Sequence, residues 1–528
     1  LFAFVALVLL IACANLAGLL IARGRARAGE IALRGALGAK TPRLVRQLLT
    51  ENVVLALIGG ALGLLVAFWA SRLLAASSAL DWLPLRENLL NANVLAFAFA
   101  ISFATAIVSG LVPAIRVARA EHSLQTMLRR DAADPVRRHL VAIEVALSVL
   151  LLVAAGLLTR SIFRLQNERL GFDARSIRVM TANPPSDREP SAFYDAVLDR
   201  LRALPGVASV AASNNLPLDA EKLQGGIAIE GRNPLDEKSW LPAGWQLVNE
   251  DYFRTLAIPI LRGRPIRSSD RGGMNVVVVS ETLARRYWPN ENPLGKRLAV
   301  PGLDSESYEN FRNGKIDWLT VVGVAGDVRA GGPASDPIPE IYLPYFQHAT
   351  GKLKLAVRTT VAGAALDRTL ESAIAAVAPD VPVRVRSYEE TLEQRLAAPR
   401  LRSQLIVLFA ILAIVLAAGG VYGVTANWVE QRRREIGIRI AHGAKPRDVL
   451  ALFLRRGAIS TLVGIIAGFA GAVWLADLLA PFLFRIDPRD PATFAGALLI
   501  ATATAIVATL IPARRAANVD PAETLRYE

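Results

Sequence analysis

Seven runs of about twenty apolar residues, at 1–22, 52–75, 94–117, 139–158, 404–428, 457–480 and 494–512, limit what this chain can fold into more than any other feature. A run of that length crosses a bilayer as a helix, because a helix satisfies its backbone N–H and C=O groups within one segment. Residues 159–403, between the fourth and fifth runs, return to the composition of a soluble domain. The bulk figures agree, with 53% hydrophobic residues but a formal charge of +14, too apolar for a wholly soluble protein and too charged for spans alone. The expected fold class is an α-helical membrane protein with an inserted α+β domain outside the membrane.

Lys and Arg orient the spans. Residues 23–50 carry Arg23, Arg25, Arg27, Arg34, Lys40, Arg43 and Arg46 against the single acid Glu30. Arg432, Arg433 and Arg434 mark a second basic loop, and Arg129, Arg130, Arg137 and Arg138 a third. These loops are expected in the cytoplasm, whereas 77–92 and 481–493, with almost no net charge, face outward. That alternation puts 159–403 outside and the C-terminus inside. The basic residues cluster at span ends and not on a soluble stripe with interleaved aromatics, which points away from nucleic acid. Cys13 is the only cysteine, so no disulfide or cysteine-based metal site can form within the chain. Leu1 already lies in an apolar run, so a cleavable leader is not expected and the sequence is expected to be a piece of a longer chain.

The spans are written twice. EIALRGALGAK at 30–40 is echoed by EIGIRIAHGAK at 435–445, at one spacing (435 − 30 = 405, 445 − 40 = 405). The register continues through Gly59 and Gly464, Gly63 and Gly468, Trp69 and Trp474, and Leu73 and Leu478. At the third span VPAIRVARAE from Val112 answers IPARRAANVD from Ile511, with the spacing reduced to 512 − 113 = 399 by a change that an outward loop tolerates. Two three-span units, 1–117 and 404–528, therefore run in the same direction. A linker at 118–138, an extra span at 139–158 and the external segment separate them, and direct repeats of this kind suggest a pseudo-twofold axis along the membrane normal. GGALG at 59–63 suits close helix packing. Glu144 is the clearest ionisable residue in a span. It is a functional candidate on that ground, and equally a residue that can snorkel or pair with an arginine two turns away.

In the repeated loop, Gly38 is followed by Thr41-Pro42, a capping residue and then the residue favoured in a first helical turn. A short helix beside the bilayer is expected to end near Gly38, and a new one to run from Thr41 into the membrane. Basic residues over anionic lipid would explain one copy. Two copies that keep Glu30 and Glu435, Arg34 and Arg439, Gly38 and Gly443, Ala39 and Ala444, and Lys40 and Lys445 favour docking to a protein. GAKT at 38–41 is not a phosphate loop, since Ala39 separates Gly from Lys-Thr and a span follows. No other phosphate loop, GxSxG or HExxH occurs, so ATP is expected to be handled by another chain.

Within the external segment, strand–helix–strand grammar at 170–213 and again at 351–390 suggests one split α+β domain, interrupted by an insertion at 214–350 with strands of its own. Trp240, Trp245 and Tyr252 fit either a core or a partner contact.

REIGIRIAHGAK in the basic loop, the glycine-rich second span, PARRAANVDPAETLR after the last span and VSETLARRYWPNENPLGKRL in the external segment together resemble the MacB/FtsX-type ABC transporter permeases, in the duplicated form with two such units. The resemblance implies four spans per unit with an external domain after the first, so that this chain begins at the second span of the first unit. It implies a bacterial inner-membrane protein without a cofactor of its own. Its partner would be a cytoplasmic ATPase dimer that holds ATP and Mg and moves the docking helices at 30–40 and 435–445. The spans would pass that motion to external domains serving export, lipoprotein or envelope processes, among membrane lipids and a periplasmic partner. The copies differ at Leu37 and His442 and at Glu51 and Arg456, where equal docking would want identity. A membrane-anchored interaction protein without transport stays open as the other reading.

Overall fold

The computed structural model describes residues 2–26, 41–76, 92–120, 134–431 and 446–517, apart from 186–187, 220–223, 233–236, 302, 304, 349–351 and 362. The chain divides into two compact units, Leu1–Arg164 with Ala397–Glu528, and Leu165–Leu396. Among the described residues the first four helices are α1 (Phe2–Ala26), α2 (Thr41–Ala76), α3 (Ala92–Ala120) and α4 (Asp134–Gln166).

In the second unit, β1 (Ile177–Ala182), α5 (Pro190–Arg202) and β2 (Val207–Ser213) come first. There follow β3 (Gln224–Ile229), β4 (Leu241–Val248), a helical turn at Tyr252–Thr255, β5 (Ile260–Gly263) and β6 (Val276–Ser280). Next are α6 (Glu281–Tyr287), β7 (Arg297–Ala299), α7 (Ser305–Arg312), β8 (Leu319–Ala325) and β9 (Glu340–Pro344). Last are β10 (Leu353–Thr359), α8 (Ala364–Ala375) and β11 (Arg386–Ser387).

β10 lies between β1 and β2, antiparallel to both, so the two strand–helix–strand stretches interleave into one sheet. β4, β3, β7, β8, β6 and β9 pair in turn and β9 returns to β4, closing a ring of six strands. Sheet and ring touch through β2 and β4 at one pair only, Ser213 with Val248. Amide side chains continue the ladder where those strands diverge. Asn249, wholly buried, accepts from the Ala212 N–H at 3.0 Å and donates to the Val210 carbonyl at 2.9 Å, while Asn214 accepts from the Leu247 N–H at 2.8 Å. The run Val276–Val279 is buried on both sides, Val277 and Val279 in one core and Val278 in another, which is why it reads as unbroken valine. VPVRVRS at 381–387, expected as a strand, pairs with β1 only over β11. Pro382 has no N–H for a ladder, and Val381, Val383 and Val385 pack against the core instead.

After β11 come α9 (Tyr388–Gln431), α10 (Pro446–Leu479) and α11 (Pro491–Ala517). Among the described residues six helices are long and apolar enough to cross a membrane. In α3 the apolar stretch among the described residues is Ala92–Thr105, shorter than a span, inside a 29-residue helix.

The membrane unit is organised around α4. Along one side it carries Val141, Val145, Val149, Val153 and Leu157, all buried, at every fourth position. α10 offers them a groove of small residues at the same interval, Gly464, Gly468, Ala472 and Ala476. A Cβ at Gly464 would come within 2.6 Å of the Ala142 carbonyl, and one at Gly468 within 2.6 Å of the Ala146 carbonyl, so only glycine allows this approach. α11 completes the enclosure with Phe494, Ala497, Ala501 and Ala508. The matching glycines of the first copy do not repeat the contact. A Cβ at Gly59 or Gly63 would meet nothing within 4 Å, and in GGALG it is Gly60 that faces a neighbour, Ser102 of α3.

Two consequences can be measured. Gly468→Val is expected to destabilise the purified chain by about 1–3 kcal/mol and Gly63→Val hardly at all; side-by-side thermal unfolding that shows equal losses would contradict the packing described. In the external unit, Arg264 holds Asp270 through two hydrogen bonds of 2.8 Å, and Asp270 also accepts from the Arg267 N–H at 2.9 Å. The guanidinium, chiefly through its hydrogen bonds, keeps this carboxyl below its ordinary value. A depressed folded-state value stabilises above the unfolded value of about 3.9 and is lost as pH falls through the folded one. Asp270→Asn should therefore speed hydrogen exchange at the Arg267 amide near pH 7, by an amount equivalent to about 1–3 kcal/mol. The gap to wild type should narrow below about pH 4.

Candidate functional site

The segments expected to dock a partner, with Glu30, Arg34, Gly38, Ala39 and Lys40 in one and Glu435, Arg439, Gly443, Ala444 and Lys445 in the other, lie outside the described residues. The helices on either side are described. The described part of α1 runs to Ala26 and that of α2 from Thr41; the described part of α9 runs to Gln431 and that of α10 from Pro446.

α1 and α9 are copies of each other, with Phe4 and Phe409, Ala12 and Ala417, and Gly18 and Gly423 at the same spacing. They meet across α4 in one core that holds Phe4 and Ile11 from α1, Leu151 and Ala154 from α4, and Ile406 and Ala413 from α9. Polar groups cross this junction. The Asn15 amide donates to the Leu416 carbonyl at 2.7 Å, and the Ser148 hydroxyl bonds the Ala413 carbonyl at 3.0 Å as well as its own Glu144 carbonyl at 2.8 Å.

Glu144 is 2% exposed, so it does not snorkel; its carboxylate is folded into the junction of α1, α4 and α9. Room for it comes from Gly420, where a Cβ would overlap the carboxylate and stand 2.9 Å from the Asn15 side-chain oxygen. Gly420 is the repeat counterpart of Asn15. Sequence reasoning singled out Glu144 but not its two neighbours, although the exchange of a polar side chain for glycine between the copies was the available signal.

The far end of α4 is fastened to the loop before α11. Ser161 accepts from the Phe484 N–H at 2.8 Å, Arg160 pairs with Asp490, and Asp490 caps α11 by accepting from the Thr493 N–H at 2.9 Å and hydroxyl at 2.6 Å. The Thr493 hydroxyl in particular holds the Asp490 carboxyl below its ordinary value. In the external unit, Tyr252 is buried and donates to Gln246 at 2.8 Å, Trp240 stacks edge-on to Phe311 at 5.6 Å, and Trp245 packs on the core. Tyr252 is thus a core residue, and the two tryptophans pack half-buried against core clusters. Among the described residues no group of three His, Cys, Asp or Glu is placed to hold a metal ion.

The family described as FtsX-like permease C-terminal matches residues 2–121 and 407–521, and the MacB-like periplasmic core domain matches residues 140–389. The macrolide export ATP-binding/permease protein MacB of Marinobacter nauticus is 27% identical over 288 residues, covering 51% of this chain and 41% of that protein. The pyoverdine export ATP-binding/permease protein PvdT of Pseudomonas entomophila is 28% identical over 310 residues, covering 55% of this chain and 42% of that protein. The chain thus spans about two fifths of the length of these relatives. Among solved structures, the periplasmic region of MacB from Actinobacillus actinomycetemcomitans overlaps 42% of this chain and 92% of its own length, at 16% identity and a TM-score of 0.29. With one family matching both sets of membrane helices and the other the domain between them, the chain belongs to the MacB/FtsX type of ABC transporter permease.

Proposed function

We propose that this permease works by mechanotransmission. A separate cytoplasmic ATPase dimer, holding ATP and Mg, docks on residues 30–40 and 435–445, and its opening and closing moves the membrane helices and through them the periplasmic domain. One observation carries the proposal: EIALRGALGAK at 30–40, between α1 and α2, returns as EIGIRIAHGAK at 435–445, between α9 and α10, at a single spacing (435 − 30 = 405, 445 − 40 = 405). The sequence has no phosphate loop of its own, which fits an ATP site on another polypeptide. The relatives are named for macrolide and pyoverdine export, and we extend to this chain only the class of process, export or envelope work driven from the cytoplasm. The C-terminus, beyond Ala517 of α11, is taken to lie on the docking side, in keeping with Arg514 and Arg515 in the last turn of that helix.

Glu435→Lys reverses a charge that both copies keep, and Gly443→Pro replaces a glycine that both copies keep. Each is expected to weaken co-purification with an ABC-type ATPase from the same host by about tenfold or more, while the chain still reaches the membrane. Undiminished association in both variants would reject the docking assignment and favour a membrane-anchored interaction protein.

A further inference from the structure

Between α9 and α11 lies a groove of about 530 Å³. α9 lines it with Ala418, Gly419 and Tyr422, and α11 with Thr504, Ala508 and Ile511. Among the described residues this wall carries no charge, and the Thr504 hydroxyl is spent on the Ile500 carbonyl of its own helix at 2.8 Å. Gly419 keeps the groove wide, since a Cβ there would meet nothing within 4 Å. Val507 and Ile511, also on the wall, are exposed, so the groove opens sideways from the bundle. Thr504, Ala508, Ile511 and Arg515 follow at intervals of four, three and four residues, one face of a helix, so the groove runs down α11 to a cation. Arg515 donates to the Tyr422 hydroxyl at 3.2 Å across that end. Arg514 stands beside it, and among the described residues neither exposed arginine has an ion-pair partner.

We propose that this groove binds a phospholipid with an anionic headgroup, one acyl chain lying between α9 and α11 and the phosphate meeting Arg515 and Arg514. The apolar stretch of α11 is 25 residues long and ends at Arg515. At about 1.5 Å per residue it crosses the roughly 30 Å of hydrocarbon, which brings both arginines to the depth of the headgroups. A guanidinium matches phosphate through paired N–H donors, and basic residues at that depth attract anionic lipid. The groove supplies the other half of the match. A soluble anion would meet the arginines and leave the apolar wall unused, and a neutral hydrocarbon would fill the wall and leave the cations unpaired. An anionic amphiphile uses both. The counterparts of Tyr422 and Arg514 in the first copy are Ala17 and Ile115 (422 − 405 = 17, 514 − 399 = 115), so the polar end of the site is written in the second copy.

The test uses the full chain purified in detergent, given dioleoylphosphatidylglycerol and dioleoylphosphatidylcholine in equal amounts and read by native mass spectrometry. The two lipids have the same chains, and wild type should retain the anionic one in preference. Arg515→Gln should cut that preference about fivefold, and adding Arg514→Gln should abolish it. Gly419→Leu keeps both cations and fills the groove, and should lose the bound phosphatidylglycerol. Glycerophosphoglycerol, the same headgroup without chains, should not displace the lipid. The arginines are exposed, so their variants decide the outcome even where Gly419→Leu folds poorly. The proposal falls if wild type holds the two lipids equally, if the double arginine variant keeps the preference, or if a folded Gly419→Leu retains phosphatidylglycerol as wild type does. It falls also if glycerophosphoglycerol displaces the lipid, which would assign a site for a soluble anion.

Discussion

The close approach of α10 to α4 is the contact on which the membrane unit depends. In a bilayer an apolar helix gains little by leaving lipid, so association rests on how near two backbones come and how many atoms they then share. The ridge from Val141 to Leu157 and the groove from Gly464 to Ala476 have the same four-residue interval, so they stay in step over three turns. With that side of α4 buried, its other side is committed to α1 and α9, and the Ser161 and Arg160 contacts to the 481–493 loop fix its far end. The helix that belongs to neither three-span repeat is thus the one that both repeats pack against.

Much of this was legible because it depends on length and repetition. Spans announce themselves by a run of apolar residues, and copies by a constant spacing. The external unit was legible where strands alternate or run pure, as in β1, β2, β6, β8 and β10. It was opaque at β3 and β4, QGGIAI and LPAGWQLV, whose glycines and proline interrupt the pattern that marks a strand. The closed ring was not legible at all. It requires β4 to run parallel to β9, pairing Gly244 with Glu340, and no local signal links positions so far apart.

The site divides along the same line. The segments at 30–40 and 435–445 stood out as a sentence repeated, and Glu144 as a charge among apolar neighbours. Asn15 looked like an ordinary polar residue near a span end, and Gly420 like one more small residue in a helix that has several. Their relation to Glu144 is a matter of three helices meeting, and each helix read alone conceals it. Likewise the open face at Gly59 and Gly63 was hidden by the match to Gly464 and Gly468. Equal residues promised equal contacts, but the contact also needs a neighbour on the other side.

The pairing of Asn15 with Gly420 shows what joining two halves in one polypeptide permits. Two identical subunits about a twofold axis must carry the same residue at both equivalent places. Asparagine at both would drive a second side chain into the space of the Glu144 carboxylate, and glycine at both would take away the donor that holds the Leu416 carbonyl. A gene encoding both halves can amend one without touching the other. The centre of the bundle is accordingly handed, with a left and a right that a symmetric assembly could not tell apart.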